Sequence, residues 1–255
     1  MLFVIIQGRN TVSKRVKKET AGNLVRMSCY TMQLPQDSGK ARAEKTKLSS
    51  AARSKMNAIT SWNKCRLTMS ANFSVGDLFV ELTYSDQTLP KNREDAQKQL
   101  RRWIDRMRKE YQRYGQKLRY IYTTENKHGE GRYHHHLLMN RIDNAKEILQ
   151  SHWKNGHIQV DFVDDPDMSR LGQYFTKEGK DGCQKLGQQT WTPSRGLKKP
   201  IVETMIVPDS FTLTVPVNCM MLNNPSGRNA YGEYSYLEYL TPTKQVKRDA
   251  EGAGL

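Results

Sequence analysis

The amino-acid sequence predicts an α+β fold with a central, partly antiparallel sheet and a basic N-terminal extension. Two observations predict the fold. Apolar periodicity alternates between the two-residue repeat of strands and the 3.6-residue repeat of helices along residues 77–178. A chain of 255 residues with 36% hydrophobic content can also bury a core without disulfide help. A third observation, the uneven placement of charge, predicts the extension.

Taken in order, residues 7–45 are polar and basic with little sustained periodicity, and they read as a loosely packed arm. Ala51, Ala52, Met56, Ile59, Trp62 and Leu67 recur at helical intervals and predict a helix over 49–69, broken by Asn72–Gly76. Residues 77–84 are β-prone, with Glu81 as the one charge after Asp77, and the strand stops at Ser85-Asp86. Leu100, Trp103, Ile104, Met107 and Tyr111 form one stripe of a helix over 93–114, with Arg and Lys opposite. Leu118–Thr123 alternates as a strand leading to Glu125, a turn follows at 127–131, and 132–139 returns as a strand bearing three histidines. A short helix over 145–153, a strand over 157–163 and a turn at 164–167 come next. Asp167 or Ser169 is placed to cap a final helix through Leu171, Tyr174 and Phe175 to Glu178. The order β-α-β-β-α-β-α is that of a ferredoxin-like or split βαβ fold with an added helix, and its helices are expected on one face of the sheet. Short strands are expected after Gly187, and a polar, frayed end from about Thr241.

The balance of 41 Lys and Arg against 26 Asp and Glu gives a net charge of +15, which points to a polyanionic partner such as nucleic acid. Residues 1–70 hold 14 basic and three acidic residues, so most of the excess lies in the N-terminal part. The division expected is a basic arm over 1–48, a catalytic domain over 49–203 and a C-terminal extension over 204–255. Cys29, Cys65, Cys183 and Cys219 show neither metal-finger spacing nor a disulfide framework, so free thiols in a reducing compartment are expected. The apolar opening MLFVII is only six residues long, too short for a signal core or a membrane span. A cytoplasmic protein without membrane contact is the expectation.

His134 and His136 are two apart in a strand and therefore project together, with His135 on the other side. Two neutral imidazoles so placed can hold one divalent ion, although short His motifs also arise by chance. A hairpin would bring Glu125 beside them, giving a mixed nitrogen and oxygen site that suits Mg²⁺ or Mn²⁺. The bland reading of Glu125 is an exposed turn carboxylate, and His128, in the turn, reads as solvent-facing. Tyr174 and Lys177 share a helix face at i and i+3. A tyrosine hydroxyl, with a pKa of about 10, needs a polarised phosphate and a nearby cation to act as a nucleophile. Core packing is the ordinary role of a tyrosine, and the chain has 12 of them.

These elements resemble the HUH endonuclease superfamily, specifically the replication initiator proteins of small single-stranded DNA phages and rolling-circle plasmids. The resemblance rests on Phe79-Val80-Glu81-Leu82-Thr83-Tyr84, on Gly131-Arg132-Tyr133-His134-His135-His136-Leu137-Leu138 and on Tyr174-Phe175-Thr176-Lys177. Trp153-Lys154-Asn155-Gly156-His157-Ile158 and Ser194-Arg195-Gly196-Leu197-Lys198-Lys199-Pro200 resemble flanking segments of related phage proteins. The resemblance implies an HUH nuclease fold in which Tyr174 attacks a phosphodiester, Lys177 neutralises charge, and His134, His136 and Glu125 hold the metal. It implies Arg132, Lys154, Arg195, Lys198 and Lys199 as DNA contacts. Its partners would be single-stranded DNA at an origin, in hairpin form or not, and the host helicase and polymerase, in a bacterial cytoplasm. The sequence departs from the family at His135, usually a bulky apolar residue, which either packs behind the sheet or offers a third nitrogen. Glu178 stands one turn after Tyr174, where some relatives carry a second tyrosine, which points to a single-tyrosine enzyme. Trp191 and Tyr84 are candidates to stack bases, with packing as their ordinary role. Two other readings remain open: a single-tyrosine HUH transposase or relaxase, and a non-catalytic nucleic-acid binder on a similar sheet.

Overall fold

The computed structural model describes residues 13–32, 50–126, 132–177, 190–229 and 232–242. The expected turn at 127–131 with His128, the residues Glu178 and Gly179, and Cys183 lie outside the described residues. The chain is mixed α and β, with two antiparallel sheets and four helices among the described residues. It divides into two compact units, one of residues 42–200 and one that joins residues 1–41 to 201–255.

The 42–200 unit contains α1 (Ser50–Ser70), β3 (Leu78–Leu82), α2 (Arg93–Arg113), β4 (Tyr120–Asn126), β5 (Tyr133–Met139), α3 (Ala145–His152), β6 (Ile158–Phe162), α4 (Ser169–Thr176) and β7 (Thr192–Pro193). Its sheet runs β6-β3-β5-β4-β7, antiparallel throughout. The period-2 pattern divides each central strand between two cores. Leu78, Val80 and Leu82 of β3, Tyr120 and Tyr122 of β4, and Leu137 and Met139 of β5 meet the α2 stripe and Leu149 of α3. Phe79, Ile121 and Leu138 face the other way, onto Cys65 and Met69 of α1 and Leu171 and Phe175 of α4. Helices therefore pack on both faces, where the sequence led us to expect one. The reason is that Phe79, Ile121 and Leu138 leave apolar area on the second face that must be covered.

α2 starts where the Asn92 side chain accepts a hydrogen bond from the Asp95 backbone N–H at 2.8 Å, with Glu94 and Asp95 in its first turn and Arg113 in its last. Its buried residues Leu100, Trp103, Ile104, Met107 and Tyr111 are those of the predicted stripe. α4 opens differently. Met168 sits in the left-handed region at φ 57, and Asp167 Oδ1 accepts from the Ser169 backbone N–H while Asp165 Oδ2 accepts from that of Leu171. α1 holds this end down. The buried Arg66 donates to the Asp167 carboxylate at 2.5 Å and to its carbonyl at 3.0 Å, and Trp62 Nε1 donates to the Ser169 carbonyl.

The second unit contains β1 (Ser13–Ala21), β2 (Leu24–Thr31), β8 (Ile201–Pro208), β9 (Met220–Asn223), β10 (Ser226–Asn229) and β11 (Gly232–Leu240). Its sheet runs β10-β11-β2-β1-β8, with β9 also on β11. Residues 13–31, expected as part of a loose arm, thus form a hairpin that pairs on both sides with strands from the C-terminal part. The arm reading fails there because the partners are remote in sequence. The cations that masked a strand pattern, Lys14, Lys17, Lys18 and Arg26, meet acids on facing strands, among them Glu19, Glu203, Glu233 and Glu238. Cys29, Cys65 and Cys219 carry free thiols. No helix among the described residues is long and apolar enough to cross a membrane.

Candidate metal and tyrosine site

Strand register assembles the site. In the β4–β5 pair Glu125 lies opposite His134 and Thr123 opposite His136, and in the β3–β5 pair Glu81 lies opposite His136. Side chains paired across antiparallel strands share a face. Glu81, Glu125, His134 and His136 therefore project together, on the side covered by α1 and α4. The ligand atoms of Glu125, His134 and His136 all lie within 4.8 Å of one another. Glu125 Oε2 is 3.4 Å from His134 Nε2 and 3.7 Å from His136 Nε2.

The three groups offer the right chemistry for a divalent ion. Burial pushes the His136 pKa down to about 4, an effect that Glu125 partly offsets, so its imidazole is neutral and has a lone pair to give. The hydrogen bond to Glu125 raises that of His134 against the opposing effect of its own burial. Glu125 and His134 remain partly exposed, which keeps the cluster open to solvent. Two nitrogens and a carboxylate with open positions fit Mg²⁺ or Mn²⁺ bound together with a phosphate.

α4 carries Tyr174 to this cluster. Its hydroxyl lies 2.8 Å from His136 Nε2 and the two rings meet edge to face at 4.7 Å. Phe79 fills the space behind them, stacked on His136 at 5.9 Å and edge-on to Tyr174. Lys177, one turn on, is the C-cap of α4 and is exposed.

His135 takes the opposite side of β5. It is fully buried, and burial drives its pKa down to about 3, with His134 and His136 adding to the effect. The Tyr84 hydroxyl donates to the Ala96 carbonyl at 3.2 Å, so it accepts from His135 Nε2–H at 2.8 Å, and the Thr124 hydroxyl donates to Nδ1 at 2.9 Å. Those bonds hold a neutral imidazole behind the sheet. Of the two roles open to His135 in the sequence, packing is the one observed. Trp153 closes the same core, donating from Nε1 to the Thr83 carbonyl at 2.9 Å. A Cβ on Gly156 would overlap the Thr83 carbonyl oxygen and come within 2.7 Å of Tyr84 Cα, so this crossing requires glycine.

The candidate DNA contacts are spread more widely. Arg132 pairs with Asp86 and donates to the Tyr84 carbonyl at 3.4 Å. Lys154 is exposed in the turn before β6. Arg195, Lys198 and Lys199 are exposed after β7, on a segment tied to the end of α1 by two bonds between the Asn72 amide and the Lys198 backbone. Trp191 and Tyr84 are buried and serve as packing. Sequence reasoning missed Glu81 and Phe79 as neighbours of the cluster. The signal was present, since both alternate with the buried Leu78, Val80 and Leu82. It also missed Arg66, whose partner lies 101 residues away.

No curated protein and no solved structure matches the chain. The stretch that supplies Glu81, Glu125, His134, His136 and Tyr174, residues 77–179, matches the family model of the replication-associated protein ORF2.

Proposed function

We propose that the chain is a rolling-circle replication initiator of the HUH type, which nicks single-stranded DNA at an origin and rejoins it. The observation that carries this reading is the Tyr174 hydroxyl, 2.8 Å from His136 and on the same sheet face as His134 and Glu125. The match to a replication-associated family over the same residues supports it. So does the strand order β6-β3-β5-β4, which is that of a ferredoxin-like sheet. A non-catalytic binder would present exposed aromatics on the central strands, whereas Phe79 of β3 is covered by Tyr174 and Phe175.

A divalent ion held by Glu125, His134 and His136 would polarise the scissile phosphate and neutralise its charge. Tyr174 supplies the nucleophile. Its oxygen bonds to phosphorus as the bond from phosphorus to the 3′-oxygen breaks. The phenolic proton passes to water, and the 3′-oxygen leaves as a hydroxyl able to prime a host polymerase. The 5′ end stays on Tyr174 as a phosphotyrosine, and attack by a later 3′-hydroxyl reverses the step and reseals the strand. Lys177 offers an ammonium one turn away to offset phosphate charge. Arg132, Lys154, Lys198 and Lys199 lie on exposed segments suited to the DNA backbone, and the host helicase and polymerase are the further partners.

The test is to incubate the protein with labelled single-stranded DNA of its own replicon, with Mn²⁺ or with EDTA, and to resolve the products on a denaturing protein gel. A metal-dependent labelled band that disappears in Tyr174→Phe is expected. His134→Ala with His136→Ala should lose cleavage even in excess Mn²⁺, and nicking by that double variant would sink the metal site. A salt-sensitive complex that falls apart on denaturation under every metal condition would replace the enzyme with a binding protein.

A further inference from the structure

A groove of about 1080 Å³ opens on the face of β4 opposite the Glu125 cluster, between α2 and the β7 edge. Its walls carry Arg101 and Arg108 from α2, Lys117 from the turn before β4, and Arg195 from the segment after β7. Asp105 is the one carboxylate lining it, and Arg108 takes that partner. Arg101, Lys117 and Arg195 make no ion pair among the described residues, and all three are exposed. The Lys117 ammonium lies so near Gly196 that a Cβ there would sit 3.3 Å from it, which sets this cation beside Arg195.

The floor is aromatic. Tyr120 and Tyr122 are stacked with ring centroids 6.2 Å apart, and Arg108 lies over the Tyr120 ring while donating to its hydroxyl at 3.0 Å. Unpaired cations drawn from three elements above aromatic rings are the chemistry of a single-strand nucleic-acid groove. A protein structure that needed these charges only for solubility would scatter them, and one that needed them for stability would pair them.

We propose that this groove holds the phosphate backbone of single-stranded DNA outside the scissile step. The strand β4 links the two places. Tyr122 lines the groove and Glu125 joins the metal cluster three residues later, a run of about 10 Å along a strand. A DNA strand held at Tyr174 is thus within a few nucleotides of rounding the β4–β7 edge. The identity of the polyanion rests on the replication reading; the groove itself does not.

The experiment uses the full chain in EDTA, so that no strand is cut, and follows the fluorescence anisotropy of a labelled 40-nucleotide oligo(dT) across a NaCl series. Arg101→Gln with Lys117→Gln should weaken binding about tenfold at low salt and reduce the salt slope by about 1.4, two single-strand phosphate contacts. Arg101→Glu with Lys117→Glu should weaken it further. A control of the same charge change on exposed residues away from the groove, Lys98→Glu with Lys146→Glu, should lose less than about threefold. Equal losses in the groove and control variants would overturn the proposal, as would an unchanged slope. Loss of heparin binding with oligo(dT) binding intact would also overturn it. Failure of the wild-type protein to form a Mn²⁺-dependent adduct would instead sink the proposed function and leave this comparison standing.

Discussion

His134, His135 and His136 are chemically the same residue placed on two sides of one strand, and the side decides the role of each. The outer two face a carboxylate and partial solvent, and the middle one is sealed behind the sheet with Tyr84 and Thr124. Substitution should separate these roles. His135→Ala leaves a cavity and two hydroxyls short of a partner, and should cost about 3 kcal/mol in urea denaturation. His134→Ala, at a partly exposed position, should cost under about 1 kcal/mol. Mn²⁺ affinity, read by calorimetric titration, should fall in the second variant and hold in the first. Comparable stability losses in both would mean that burial does not divide the roles. Much of this was legible in the sequence, because strand alternation alone puts His134 with His136 and turns His135 away. The choice between packing and a third ligand was not legible, since it depends on Tyr84 and Thr124 arriving from other strands.

Among the elements, α4 depends most on a partner far along the chain. Its sequence signals a helix with Asp167 or Ser169 at the start, and the structure uses the Asp167 and Asp165 carboxylates there. What the sequence does not signal is α1 crossing this end, with the buried Arg66 on Asp167 and Trp62 on the Ser169 carbonyl. Gly172 permits the approach, since a Cβ there would come within 3.2 Å of Arg66 Cβ. Asp167→Ala would strand a buried guanidinium, and a loss of about 3 kcal/mol is expected on chemical denaturation. Arg66→Met in the same background should recover part of it. A loss below about 1 kcal/mol would show that water reaches Arg66 and that the pair does little to seat Tyr174. Helices and strands of the 42–200 unit were legible to within a few residues because their apolar stripes are local. The placement of α1 and α4 on the second face was not, because it needs contacts across a hundred residues.

At the scale of the molecule, the 42–200 unit lies in sequence between two halves of another sheet. A chain cut after Pro200 retains β1 and β2 but loses β8 and β11, which flank them. A lone hairpin is marginal in water. Limited proteolysis of such a chain should therefore digest residues 1–41 and spare 42–200; equal resistance in both would mean that the hairpin stands alone. The same arrangement has a consequence during synthesis. The hairpin is made first, yet β8 follows 170 residues after β2 ends, a wait of roughly 10–30 s at ordinary elongation rates. Throughout that interval β1 offers an unpaired edge to any neighbouring nascent chain. Lys14, Lys17 and Lys18 lie along it, and until Glu203, Asp209 and Glu233 are made, their charge repels another copy of the same edge.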